Sequence, residues 1–168
     1  EIPLGACVAR DLDNLLLAGR NISASQAAFA STRVMATCGA IGQGVGTAAA
    51  LGLRSGTAPF AMASDPSFMK AVRQQLLRQD ALVLGAVNED DADLARCARL
   101  SASSEQTPGP AVNAISGRTR ALHGDRGARP DRWDAGTHRW MSDPSAGLPA
   151  ELVLAWDSPL DITEVQLI

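Results

Sequence analysis

Apolar and polar positions alternate in three different ways along this chain, and each way predicts a different element. Asn14–Gly19 carries Leu15, Leu16, Leu17 and Ala18 in one run closed by glycine, the pattern of a short, fully buried strand in an α/β sheet. A polar loop, Arg20–Gln26, follows. Ser31 or Thr32 then stands where a cap would open a helix continuing to about Leu53. Asp65-Pro66 is an N-cap followed by proline at the first helical position, so an amphipathic helix is expected over Ser67–Asp80. Phe68, Met69, Val72, Leu76 and Leu77 share its apolar face, with Lys70, Arg73 and Arg78 elsewhere. A shorter helix is expected over Asp91–Arg99, with Leu94 and Cys97 inward. Beyond residue 100 the period changes to two. Glu151–Trp156 alternates, with Leu152, Leu154 and Trp156 on one face. Asp157-Ser158-Pro159 breaks that run, and Ile162–Ile168 reads as the next strand. The expected class is an α/β part followed by a partial antiparallel β-sandwich.

The segment Val34–Leu53 is unusual. It holds 20 residues without a charge, flanked by Arg33 and Arg54, which is the length of a membrane span. Gly42 and Gly46 even form a small-xxx-small face. Its contents argue the other way. Six residues are large aliphatics, five are Gly and five Ala. At about −0.3 to −0.6 kcal/mol per large aliphatic, insertion is weakly driven. The segment suits a core helix with backbone or a flat ligand lying close to its glycines, and no membrane insertion is expected. Gly44–Ala49 is formally G-x-G-x-x-A, with Asp65 following, but no clear strand flanks it. Helix-packing glycines are the favoured reading.

Composition narrows the classes. The chain has 168 residues, 15 basic and 18 acidic, a formal charge of −3 and 46% hydrophobic residues, which describes a folded protein. The balance is too mild for a nucleic-acid or anionic-membrane partner. Three cysteines (Cys7, Cys38, Cys97) without a CxxC, and two histidines (His123, His138), give no metal-ligand spacing, so no metal is expected. Arg118, Arg120, Arg126, Arg129, Arg132 and Arg139 mix with Trp133, Trp140 and His138, but Asp125, Asp131, Asp134 and Asp143 interrupt them. That reads as a solvated loop with one or two tryptophans packed inward. Glycines gather early and tryptophans late, and Arg99–Ser104 marks the change. Two parts follow, 1–100 and 101–168. The chain opens on Glu1 and stops inside the alternating run Ile162–Ile168, the pattern of a piece cut at both ends.

Three stretches together resemble a known family. Asp13–Ala24 (DNLLLAGRNISA), Ser31–Cys38 (STRVMATC) and Gly42–Leu51 (GQGVGTAAAL) are similar, in order and spacing, to the C-terminal part of a bacterial FAD-dependent oxidoreductase with a glutathione-reductase-type fold. Leu76–Asp80, Asn88–Asp90 and Asp93–Ala95 continue the likeness over residues 1–100. From Ser101 onward, Ser103-Ser104 and Arg139–Asp143 (RWMSD) resemble the start of a discoidin-like, carbohydrate-binding-like β-sandwich. The resemblance implies FAD as cofactor and a small-molecule substrate, with carbohydrate-related compounds as candidates. It also implies that the Gly-rich pyrophosphate loop lies upstream of Glu1, leaving here one wall of the flavin site.

That wall is assigned residue by residue. Gly19 lets backbone approach the ribityl-pyrophosphate arm, since it has no side chain to clash. Arg20, Asn21 and Ser23 follow as polar contacts. A helix beginning near Arg33–Thr37 aims unpaired N–H groups and its positive end at the pyrimidine edge of the flavin, with Met35, Thr37, Gly39 and Gly42 lining the cofactor. Arg33 at the helix mouth is placed to hold a polar or anionic substrate group; the competing reading is a structural arginine paired with a carboxylate. The family often has His in the preceding loop. Gln26 stands there instead and joins Arg33 as the second residue expected to act on substrate. Two other readings stay open: a carbohydrate-binding or interaction module with a non-catalytic helical scaffold, and a small membrane-anchored protein built on Val34–Leu53.

Overall fold

An aspartate, three prolines and one left-handed glycine set most helix boundaries in the first part of the chain. The computed structural model describes residues 2–118 and 138–167. The chain divides into two units, Glu1–Val83 and Leu84–Ile168. The composition change near residue 100 falls inside the second of these.

The first unit opens with a 3-10 turn, Leu4–Cys7, after Pro3. Four helices follow: α1 (Gln26–Thr32), α2 (Met35–Ser55), α3 (Pro59–Ser64) and α4 (Pro66–Arg78). The Asp65 carboxylate accepts from the amides of Ser67 and Phe68 at 2.8 and 3.2 Å, so α4 begins where the cap predicts. α2 stops at Gly56, whose φ of +67° a side chain would resist. Leu4, Cys7, Ile22, Ile41, Val45, Ala48, Met62, Phe68 and Val72 form one buried cluster in which α2 meets α4. Each large apolar side chain in it contributes roughly 1.5–3 kcal/mol on full burial. The buried Thr47 hydroxyl donates to Gln79 Oε1 at 3.0 Å, so α2 carries its polar group into the core with a partner.

Four expectations change here. The buried strand over Asn14–Gly19 does not form: only a single antiparallel bridge, Val8 to Leu16, is made, and Leu15 is exposed. A strand needs ladder partners on both sides to bury its backbone, and among the described residues only Cys7 and Ala9 bond to the backbone of this segment. The helix also starts later than expected. Ser31 and Thr32 belong to α1, capped by Ser25, while Val34 opens α2 without a side-chain cap bond. Gln26 is therefore the first residue of a helix and not part of a loop. Gly42, Gly44 and Gly46 do not serve close packing, because an added Cβ would meet nothing within 4 Å. The close approach is at Gly52, where a Cβ would overlap Met62 Cε and lie 3.0 Å from the Thr57 carbonyl oxygen. Finally, α3 went unforeseen; Ala58-Pro59 was its signal, and Met62 its buried residue. No single helix among the described residues is long and apolar enough to cross a membrane; α1 and α2 pass such a test only together, and they meet at 92°.

The second unit contains a two-stranded antiparallel sheet, β1 (Arg99–Ala102) with β2 (Leu152–Ala155), in the register Leu100 to Leu154. β2 and its half-buried Leu152, Leu154 and Trp156 follow the period-two pattern. β1 lies where the sequence suggested a helix end and a boundary. The expected helix over Asp91–Arg99 shrinks to a four-residue 3-10 turn, Leu94–Cys97, because Asp93 caps it at the Ala95 amide and Ala98 is already extended. Cys97 is exposed, not inward. Residues 161–167 form no strand and are exposed, with no ladder partner among the described residues. The helices and this small sheet fit a mixed α/β class, and a β-sandwich is not formed among the described residues.

Polar side chains hold this unit. Trp140 Nε1 donates to the Ser104 carbonyl at 3.0 Å, Gln106 Nε2 to that of Ser142 at 2.7 Å and Asn113 Nδ2 to that of Arg139 at 3.0 Å. Trp140 is thus one packed tryptophan of the basic-aromatic region. Arg120, His123, Asp125, Arg126, Arg129, Asp131, Arg132, Trp133 and Asp134 lie outside the described residues.

Candidate functional site

The chain turns sharply between α1 and α2, and the turn is built from the last carbonyls of α1, which lack helical donors. The Phe29 carbonyl accepts from the Arg33 amide at 3.2 Å and the Thr32 hydroxyl at 3.4 Å. The Thr32 carbonyl accepts from Cys38 Sγ at 3.6 Å, and the Arg33 carbonyl from Arg20 Nε at 3.2 Å. The preceding loop is fixed as well. The Ser23 amide donates to the Ala6 carbonyl at 2.7 Å, and Ile22 is buried in the core. Ser25 then caps α1 at the Ala28 amide. Loop, elbow and the start of α2 therefore meet at one place, although α1 itself contains no buried residue.

The sequence-derived residues distribute over that place in three groups. Gly19 (φ +97°), Arg20, Asn21 and Ser23 lie in the loop. Gln26 opens α1, and Arg33 sits in the elbow with its guanidinium carbon 6.0 Å from the Phe29 ring centroid, the outer limit of a cation–π contact. Met35, Thr37, Gly39 and Gly42 occupy the first turns of α2. Arg20 and Arg33 are joined directly through the Arg33 carbonyl; Gln26 and Arg33 share no hydrogen bond. Neither the Phe29 contact nor the Cys38 and Thr32 bonds at the elbow were read from the sequence, since an angle between helices leaves no periodic trace.

The opening of α2 has the features that a flat cofactor needs. Val34 offers no side-chain cap, so the amides of Met35, Ala36 and Thr37 have no helical acceptor, and Cys38 makes the first bond, to the Val34 carbonyl. Gly39 and Gly42 leave open space where side chains would stand, and Met35 is 81% exposed. These residues fit FAD as one wall. Cys7 is buried in the core cluster, and that burial pushes its thiol pKa up.

The second unit holds a cleft of about 320 Å³ that sequence reasoning missed. Leu94, Cys97, Ala155, Trp156 and Leu160 give it apolar walls, and the Arg99–Asp157 ion pair and Ser158 give it a polar rim. Trp156 is anchored by Nε1 donating to the Leu94 carbonyl at 2.9 Å.

Residues 1–76, just under half of the 168-residue chain, match the family described as FAD dependent oxidoreductase. The match supports an FAD-dependent oxidoreductase fragment here, and it implies FAD as cofactor. Every residue assigned above to the flavin wall lies inside the matched stretch. No curated protein and no solved structure matches the chain.

Proposed function

We propose that residues 1–100 supply one wall of the FAD site in an oxidoreductase with a glutathione-reductase-type fold. The observation that carries this reading is the uncapped start of α2 beside Arg33, with open space at Gly39 and Gly42, inside the family-matched stretch. Bound FAD supplies a two-electron hydride acceptor. The amides of Met35 to Thr37 and the positive end of α2 stabilise negative charge at the ring edge they face. Gly19 admits the ribityl-pyrophosphate arm, while Arg20, Asn21 and Ser23 offer it polar contacts. Arg33 orients a small-molecule substrate. Gln26 can donate and accept hydrogen bonds but does not exchange a proton at neutral pH, so it positions substrate rather than acting as acid or base.

A second reading concerns residues 101–168, as a discoidin-like module for carbohydrate-related ligands. The cleft favours it, because Trp156 offers an aromatic wall and Arg99, Asp157 and Ser158 offer hydroxyl partners.

Titration of FAD into the chain, followed by flavin fluorescence, tests the first reading. One wall alone should bind weakly and reversibly, and the purified chain should be colourless. Gly39→Glu and Gly42→Trp should weaken binding several-fold, whereas Arg73→Gln on α4 should not. A chain that purifies yellow with one FAD each, or binding that ignores both glycine variants, would contradict the assignment.

A further inference from the structure

We propose that Arg20 and Arg33 form a two-guanidinium clamp for a carboxylate, so that the substrate is an organic acid. The proposal rests on the flavin-wall reading and names its substrate class. Arg20 is fixed in place: its Nε donates to the Arg33 carbonyl at 3.2 Å, which orients the guanidinium plane and leaves its two terminal amino groups as donors. Arg33 is tethered at the same peptide, with its own guanidinium on the Phe29 side of the elbow. The Arg20 side chain is therefore anchored on the backbone of Arg33.

Among the described residues neither meets a carboxylate, unlike Arg99, which pairs with Asp157. The sequence around them offers none. From Asn14 to Ser64 there is no Asp or Glu, while Arg20, Arg33 and Arg54 are the charges present. An oxyanion received by two guanidiniums that lack a protein counter-charge gains paired, charge-assisted hydrogen bonds. The structural alternative for Arg33, a salt bridge within the protein, is thus not what the described residues make. The wall reading gives Arg20 to the pyrophosphate arm of FAD, which is also an oxyanion; the clamp moves Arg20 to the substrate, and the test carries both.

Succinate and inorganic pyrophosphate are titrated separately into the 168-residue chain, and the Nε–Hε signals of Arg20 and Arg33 are followed by NMR. Succinate should shift both signals saturably. Arg20→Lys and Arg33→Lys keep the charge but lose the planar fork, and each should weaken succinate binding at least tenfold. Arg73→Lys should leave it unchanged. Far-UV circular dichroism of each variant should match the parent, since both side chains are exposed. Shifts that do not saturate, or lysine variants no weaker than Arg73→Lys, would overturn the clamp. Pyrophosphate binding more tightly than succinate would overturn the substrate assignment and give the arginines to the cofactor. FAD titration of the unsubstituted chain separates the two readings: FAD binding to a chain that does not bind succinate rejects the clamp and keeps the wall, and failure of both rejects the wall as well.

Discussion

Leu4, Ile41, Val45, Met62, Phe68 and Val72 meet in one water-excluded cluster in the first unit. In the second, Gly109, Ala111 and Asn113 are the buried positions among the described residues, and long-range bonds from Trp140, Gln106 and Asn113 to backbone carbonyls connect its loops. The contrast separates two ways of holding a chain. Apolar burial is non-directional and tolerates an exposed face, which leaves the elbow and the mouth of α2 open for a ligand. A polar network fixes loops one bond at a time, and each bond lost leaves an orphan.

The largest effect should follow from emptying the apolar cluster. Phe68→Ala should cost about 3 kcal/mol or more, read from urea unfolding at 222 nm, where the helices of the first unit dominate. A loss under about 1 kcal/mol would deny that this cluster is the stabilising core. Next comes the network. Trp140→Phe keeps an aromatic side chain but is smaller and deletes the donor to the Ser104 carbonyl, and should cost about 1–3 kcal/mol in a transition followed by the remaining tryptophan emission. No change would mean that the Trp140 side chain does not hold these loops.

Two glycines on one helix sharpen the account within the first unit. Gly52→Ala forces a Cβ against Met62 and the Thr57 carbonyl, and should lower stability by about 1–2 kcal/mol. Gly42→Ala enters open space in a helix interior and should raise it by about 0.5–1 kcal/mol. Equal effects would remove the distinction between a packed and an open face of α2.

The smallest effect belongs to pH. The Ser145 hydroxyl and amide both donate to Asp143 and hold its carboxyl below the usual carboxylate range. Its contribution to folding is therefore present above the ordinary carboxylate pKa and fades as pH falls through the depressed value. Carboxyl NMR titration should show Asp143 titrating low, and Ser145→Ala should move it up. An unmoved Asp143 would show that the hydroxyl bond does not form in solution.

What could be read from the sequence follows the same contrast. α4 was legible to its cap because Asp65-Pro66 and the spacing of Phe68, Val72 and Leu76 all specify one helix. β2 was legible from alternation. The run Leu15–Leu17 misled, because apolar character specifies burial only when a partner surface exists, and here Leu16 finds a single bridge. β1 escaped notice since Arg99–Ala102 becomes a strand only through Leu152–Ala155, some fifty residues away. In the candidate site, the residues to consider were suggested by the family likeness. Their arrangement was not: the Arg20 bond to the Arg33 carbonyl depends on a sharp elbow that no local pattern encodes.

Amide NMR mapping of FAD on the chain tests the central assignment most directly. The account predicts that shifts concentrate in two stretches, Gly19–Ser23 and Met35–Gly42, and spare α4 and the second unit. Shifts centred on α4 or on the Trp156 cleft, or none at all at high FAD, would contradict it.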